Sequence, residues 1–253
     1  MNITTILPVK AFDEKLMDAC LKSIANQNPI TAKLLIGCLQ GEDTNIKKLL
    51  PDDLKNITEF VVDTYENFED CVNKLAKKVR TKYFSIIAFD DEFSSIWFKN
   101  VTQYEKYNND VSVFIPFIYE TNKDQLPLGI TNEPVWAKGF SDEMGYIDSG
   151  VLDRYKKFSI YGAVFNKNIF NEIGGFKTNM EVVSFHELLL RYTYHGHKVM
   201  VIPKIGYMHL NTRDGSRFDI LRKTLKKEDV KNYFEIAKKE SYFKVQRQIE
   251  INK

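Results

Sequence analysis

The sequence has no apolar run of about eighteen residues, the length a membrane-crossing helix needs, so none of its helices is expected to span a bilayer. Its opening stretch, MNITTILPVKAFDE, lacks the basic start, long apolar centre and small-residue cleavage site of a secretory signal, which makes the cytoplasm the expected compartment. Cysteine is scarce. Cys20, Cys38 and Cys71 form an odd set without C-x-x-C spacing, which excludes a disulfide framework and a zinc knuckle and leaves reduced, mostly buried thiols. No glycine follows the first apolar run, LPVKAFDEK, so no Gly-rich loop can wrap a phosphate there. Internal repeats, low-complexity tracts and a clear linker are also missing.

What is present is enough for a full core: 253 residues, 43% hydrophobic and 13% aromatic, suit one large domain or one domain with a short appendage. Net charge is only +2, but it is unevenly spread, because the stretch from Ile202 to Lys253 carries thirteen Lys or Arg against seven acids. Such a basic end fits either a phosphate-bearing partner or a solvated helical face.

Element types alternate along the chain. ITTILPV reads as a strand stopped by Pro8, and DEKLMDACLKSIANQ as a helix with Leu16, Ala19, Cys20 and Ile24 on one face and Asp13 as its cap. KLLIGCL, ITEFVVD and YFSIIAF are further strands, and NFEDCVNKLAKKVRT is a second amphipathic helix. This order predicts an α/β domain with a largely parallel sheet flanked by helices.

Ligands in open sheets of this kind sit beyond the carboxyl ends of the strands. There the sequence places SIIAFDDEF, in which a core strand runs straight into Asp90, Asp91 and Glu92. Clustered carboxylates suit magnesium or manganese holding a diphosphate, and equally an acidic loop or the cap of the next helix, EFSSIWFKNVTQYE. The second half holds the strand VSVFIPFIYE, a turn-rich stretch, the helix VVSFHELLLRYTYHGH, the strand KVMVIPKIGYMHL and a helical extension from about Arg217.

In order and spacing these pieces resemble a family 2 glycosyltransferase of the Rossmann-like GT-A fold. TTILPV with LMDACLKSIANQ is similar to the family's opening strand and helix, IIAFDDEF to its D-x-D segment, and YGAVFNKNIFNEIGGF to the stretch before its acceptor helix. LLLRYTYHGHKVMVIP with YMHL is similar to its close. The resemblance implies a domain over residues 1–210, with a nucleotide-sugar-binding half (1–100) and an acceptor half (101–210), followed by a basic, mainly helical extension (211–253).

It also implies roles. Pro8, Val9 and Lys10 lie at the nucleotide base, Asp90 near the ribose or metal, and Asp91, Glu92 and His209 on a Mn2+ or Mg2+ ion bridging the diphosphate. Arg213 and Arg217 are possible phosphate partners, and His209 reads equally as a buried structural histidine. The activity implied is transfer of a hexosyl or pentosyl group from a nucleotide-diphosphate sugar to an acceptor hydroxyl, with inversion. A nucleotidyltransferase or an inactive sugar-nucleotide binder are the alternatives.

Two departures stand out. The acidic pair that usually follows the second strand is replaced by CLQGED, leaving Glu42 or Asp43 to read the nucleotide base. The carboxylate that deprotonates the acceptor stands six residues before the acceptor helix arginine, and counting back from Arg191 lands on Phe185. Glu187 is the nearest acid, but a two-residue shift turns a helix by roughly 200°. It reads as either the catalytic base or a partner of Arg191 four residues on, with Asp142, Glu143 and Asp148 as rivals. The acceptor is read as a glycan or, because the Lys/Asn/Ile/Phe/Tyr-rich style resembles large-phage proteins, a hydroxymethylated base in phage DNA within a host cytoplasm. On the DNA reading Lys226, Lys227, Lys238 and Lys239 contact phosphates.

Overall fold

The computed structural model describes residues 1–211, 213 and 216–251, and for 217, 218, 222 and 241–251 the backbone alone. The first half has the four expected strands and two expected helices, with two unexpected helices between the second and third strands: β1 (Ile3–Pro8), α1 (Glu14–Ala25), β2 (Lys33–Cys38), α2 (Glu42–Leu49), α3 (Asp52–Lys55), β3 (Thr58–Val62), α4 (Phe68–Lys78) and β4 (Tyr83–Ile86). β5 (Glu92–Phe93), α5 (Trp97–Glu105), β6 (Val111–Thr121), β7 (Pro127–Thr131), β8 (Tyr146–Ile147), α6 (Ser149–Arg154), β9 (Val164–Asn166) and α7 (Lys167–Glu172) come next. α8 (Ser184–Tyr194), β10 (Lys198–Leu210), α9 (Arg217–Thr224) and α10 (Lys227–Ile251) close the chain.

The strands form one sheet in the order β3-β2-β1-β4-β9-β6-β10-β5, with β7 added to β6 and β8 to β10. β1, β2, β3 and β4 pair in parallel, as do β6 and β10, while the short β9 joins the two blocks antiparallel to both neighbours. All six residues of β1 are buried, as expected for a strand covered on both faces, and α4 packs on β1 and β2.

Local signals account for the helix starts. The Asp13 side chain accepts a 3.0 Å bond from the Leu16 amide, and Asn67 caps α4 by accepting from the Asp70 amide. The buried face of α1 comprises Met17, Cys20, Leu21 and Ile24, one residue round from the expected stripe, so Leu16 and Ala19 are only half-buried. α8 is buried from Ser184 to Tyr192 with no solvent face, because α10 packs along it. On that seam Ala237 is fully buried and the Phe234 ring meets His186 edge-on at 4.9 Å.

Gly162 brings two distant segments into close contact. Its φ is +72°, and a Cβ there would lie 2.6 Å from a Tyr207 ring carbon, so its lack of a side chain lets the chain before β9 press against β10.

Candidate active site

β4 ends at Ile86, and the chain turns through Ile87–Asp91 before β5 pairs back onto β10, Phe93 opposite Tyr207 and Glu92 opposite Met208. This return puts the acidic turn against the last residues of β10. The Tyr207 hydroxyl donates to Asp91 Oδ2 at 2.8 Å and accepts from the Ala88 amide at 3.0 Å, clamping both ends of the turn. Asp91 also accepts from the Leu210 amide at 2.8 Å, and His209 Nδ1 lies 3.0 Å from each of its oxygens. Asp91 is 2% exposed and its carboxylate is closed off from solvent.

Asp90 points the other way, to Arg213 Nε at 2.6 Å, and the Arg213 guanidinium lies 5.1 Å from the centre of the Phe89 ring. Burial and the adjacent Asp91 charge push the Asp90 carboxyl above its usual range, against the pull of Arg213. For His209 burial disfavours the imidazolium, but the hydrogen-bonded Asp91 carboxylate and, beyond it, Asp90 and Glu120 together outweigh it and hold the ring above the ordinary histidine value. The Tyr161 ring stacks on His209 at 5.1 Å and on Tyr207 at 5.9 Å, fixing both in place.

Two cavities meet over this network. The larger, about 350 Å³, lies beyond the carboxyl ends of β1 and β4 and is lined by Pro8, Lys10, Phe68, Asp90, Asp91 and Arg213, with Ile220 and Leu221 of α9 on its far side. The other, about 280 Å³, lies between β6, α8 and α10 and is lined by Glu120, Lys156, Ser159, Phe185, His186 and Phe234, among others. Tyr161, Glu181, His209 and Asn211 line both.

Pro8, Lys10, Asp90, Asp91, His209 and Arg213 therefore come together on one cavity. Val9 is buried beneath it with its amide on the Gly37 carbonyl, and Lys10 reaches the Glu66 carbonyl at 3.0 Å. Three other residues are placed elsewhere. Asp43 is in α2, paired with Lys47 at 2.6 Å, and does not line the cavity. Glu92 is exposed on β5 and lines neither cavity, since alternation along the strand turns it away from Asp91. Glu187 lines neither and is fully buried in an ion pair with Arg191. The Arg217 side chain lies outside the described residues. Of the rival loop acids, Asp148 caps α6, and Asp142 and Glu143 are away from both cavities.

The basic end is not simply a solvated face. Lys238 pairs with Asp153 at 3.0 Å and Lys177 with Glu240, so α10 is tied to the domain while Lys226, Lys227 and Lys239 stay exposed. Sequence reasoning missed Tyr161, Tyr207, Asn211 and Glu181. Tyr207, in the strand end YMHL, carried a usable signal two residues before His209, whereas Glu181 sits in an irregular turn with none.

No protein-family profile and no curated protein matches the sequence. Among solved structures, S. aureus TarS 1-349 in complex with UDP-GlcNAc superposes with a TM-score of 0.64 at 12% identity, over 92% of this chain and 70% of that one. A mannosyltransferase from Pyrobaculum calidifontis in complex with GDP-Man and Mn2+ also gives 0.64 at 12% identity, over 88% of this chain and 60% of that one. The fold is that of GT-A glycosyltransferases. This chain spans only 42% of a longer TarS structure. No helix among the described residues is long and apolar enough to cross a membrane.

Proposed function

We propose that the chain is a metal-dependent glycosyltransferase that takes a hexosyl group from a nucleoside-diphosphate sugar and passes it to an acceptor hydroxyl with inversion. The observation that carries this reading is the pair of cavities joined at Tyr161, Glu181, His209 and Asn211 beside the acidic turn. A donor in the larger cavity and an acceptor in the smaller would meet at that junction. The GT-A fold supports it, as do the nucleotide sugars bound in the TarS and mannosyltransferase structures.

The donor's nucleoside would lie over Pro8 and Phe68, with Asp90 near the ribose and Arg213 toward the phosphates. No group of three His, Cys, Asp or Glu side chains arranged for a metal exists among the described residues. Both Asp91 oxygens are taken by Tyr207, His209 and the Leu210 amide, so a cation on this wall would be held by the outer ring nitrogen of His209, which Asp91 orients, with its other ligands from the diphosphate and water. Such a cation, when bound, offsets the charge that develops on the leaving diphosphate. The acceptor in this reading is a sugar hydroxyl. No observation favours a DNA base, so a glycan is preferred to phage DNA as the acceptor.

The test is a panel of UDP- and GDP-sugars with Mn2+, following donor cleavage and the melting temperature. A bound nucleoside diphosphate at about a hundred times its Kd adds about 2.7 kcal/mol, enough to raise Tm by roughly 5 °C or more. The reading fails if no nucleoside diphosphate shifts Tm, or if no donor is cleaved.

A further inference from the structure

We infer that Glu181 is the base that deprotonates the acceptor. This rests on the transferase reading and assigns a step to a residue outside the helix in which the sequence places such a base. The position six residues before Arg191 holds Phe185, whose ring is 5.0 Å from Tyr161 in an edge-on contact and has no proton-accepting group. Glu187 cannot replace it, since Arg191 and Lys177 both hold its buried carboxylate.

Among the described residues lining the two cavities, four carry carboxylates: Asp90, Asp91, Glu120 and Glu181. Asp91 is surrounded by Tyr207, His209 and the Leu210 amide, and Asp90 is held by Arg213, so both belong to the donor side. Glu120 lines only the smaller cavity and accepts from Thr131 and Asn211. Of Glu120 and Glu181, only Glu181 lines both cavities.

Its placement is held from outside the site. Asn67 is buried, its side-chain oxygen caps α4, and its amide nitrogen donates at 3.0 Å to Glu181 Oε1 and at 2.8 Å to the Thr178 carbonyl. The link ties the turn before α8 to the start of α4 and so fixes the carboxylate over the junction. Glu181 is only half-buried, so an acceptor can reach it.

The acceptor oxygen attacks the anomeric carbon and forms the glycosidic bond, while the bond from that carbon to the diphosphate oxygen breaks and its electron pair leaves with the nucleoside diphosphate. The acceptor's proton passes to the Glu181 carboxylate. Configuration inverts because attack comes from the face opposite the leaving group.

The experiment follows cleavage of the nucleotide sugar that the donor panel identifies, with water as the acceptor, and compares E181Q, E181D and E120Q with the wild type in kcat against pH, together with nucleoside-diphosphate binding and Tm. Loss of a positioned base lowers kcat by about 100-fold or more. The wild-type rate falls toward acid pH as the base protonates. E181Q should lose both the rate and that acid limb while still binding the nucleotide, E181D should regain part of the rate with the limb, and E120Q should keep the limb. The assignment is overturned if E181Q stays within about threefold of wild-type kcat, or if E120Q is the variant that loses the limb. Should E181Q not fold, E181D decides: reduced kcat with the limb retained supports the assignment, and wild-type kcat and KM overturn it. A wild type that binds nucleotide but cleaves no donor overturns the transferase reading itself, and this assignment with it.

Discussion

Arg191 grips Glu187 through two parallel hydrogen bonds, Nε to Oε1 and Nη2 to Oε2, each 2.7 Å long, with both side chains essentially excluded from solvent. The same guanidinium donates to the carbonyls of Ile173 and Gly175, so it pins the turn after α7 to α8. Lys177 adds a third cationic contact to Glu187 at 3.0 Å. A planar fork matched to a carboxylate holds one geometry, and here that geometry fixes the helix flanking the smaller cavity.

Replacing Glu187 with Gln leaves Arg191 buried without its counter-charge, and breaking a buried pair in this way costs about 3–5 kcal/mol. The expected result is a fall in melting temperature on the order of 10 °C, with kcat of the folded fraction largely retained. A variant that melts like the wild type but has lost turnover would instead give Glu187 a chemical role.

His186 makes stability depend on pH. Burial, reinforced by Lys156 and opposed by Asp153, pushes its pKa from 6.5 down to about 4, so the folded state holds the ring neutral. Above pH 6.5 neither state is protonated there and the native packing against Phe234 is intact. As pH falls from 6.5 toward 4 the unfolded chain takes up the proton first, and folding loses up to roughly 3 kcal/mol. Melting curves of wild type and H186Q across that window check this. The wild type should lose stability more steeply, and parallel curves would mean that the ring contributes nothing to the slope.

Much of the fold is encoded in short-range signals. Pro8 ends β1, Asp13 caps α1, and the apolar spacing of VVSFHELLLRY marks α8, because capping, proline geometry and periodicity all act within a few residues. The acidic turn and His209 were legible for the same reason, as each stands at the end of a readable strand. What was not legible depends on contacts between segments far apart in sequence. Asp91 meets Tyr207 and His209 across 116 and 118 residues, and Asn67 meets Glu181 across 114. Nothing local to FDDEF says which of its acids is buried. The pairing of β5 with β10 decides that, turning Asp91 inward and Glu92 outward.

That pairing changes what a substitution at Asp91 should do. A strand-end carboxylate in water is lost at little cost to stability, but here Asp91→Ala strips acceptors from the Tyr207 hydroxyl and the Leu210 amide, both held against a buried atom. Each orphaned donor costs about 1–3 kcal/mol, so Asp91→Ala should lower the melting temperature as well as activity, and its inactivity alone says nothing of a metal. Asp91→Asn separates the two effects. It keeps the size and one oxygen to accept from Leu210, while removing the charge that pairs with His209 and would orient that ring toward a cation. The measurement is the Mn2+-dependent rise in Tm with nucleoside diphosphate for wild type, Asp91→Asn and Asp91→Ala. Asp91→Asn is expected to melt closer to the wild type than Asp91→Ala does, yet to lose the metal-dependent part of the rise. If Asp91→Asn keeps that part in full, Asp91 holds β10 against the acidic turn and the cation binds elsewhere; if Asp91→Ala melts like the wild type, the buried network around it is not holding the turn.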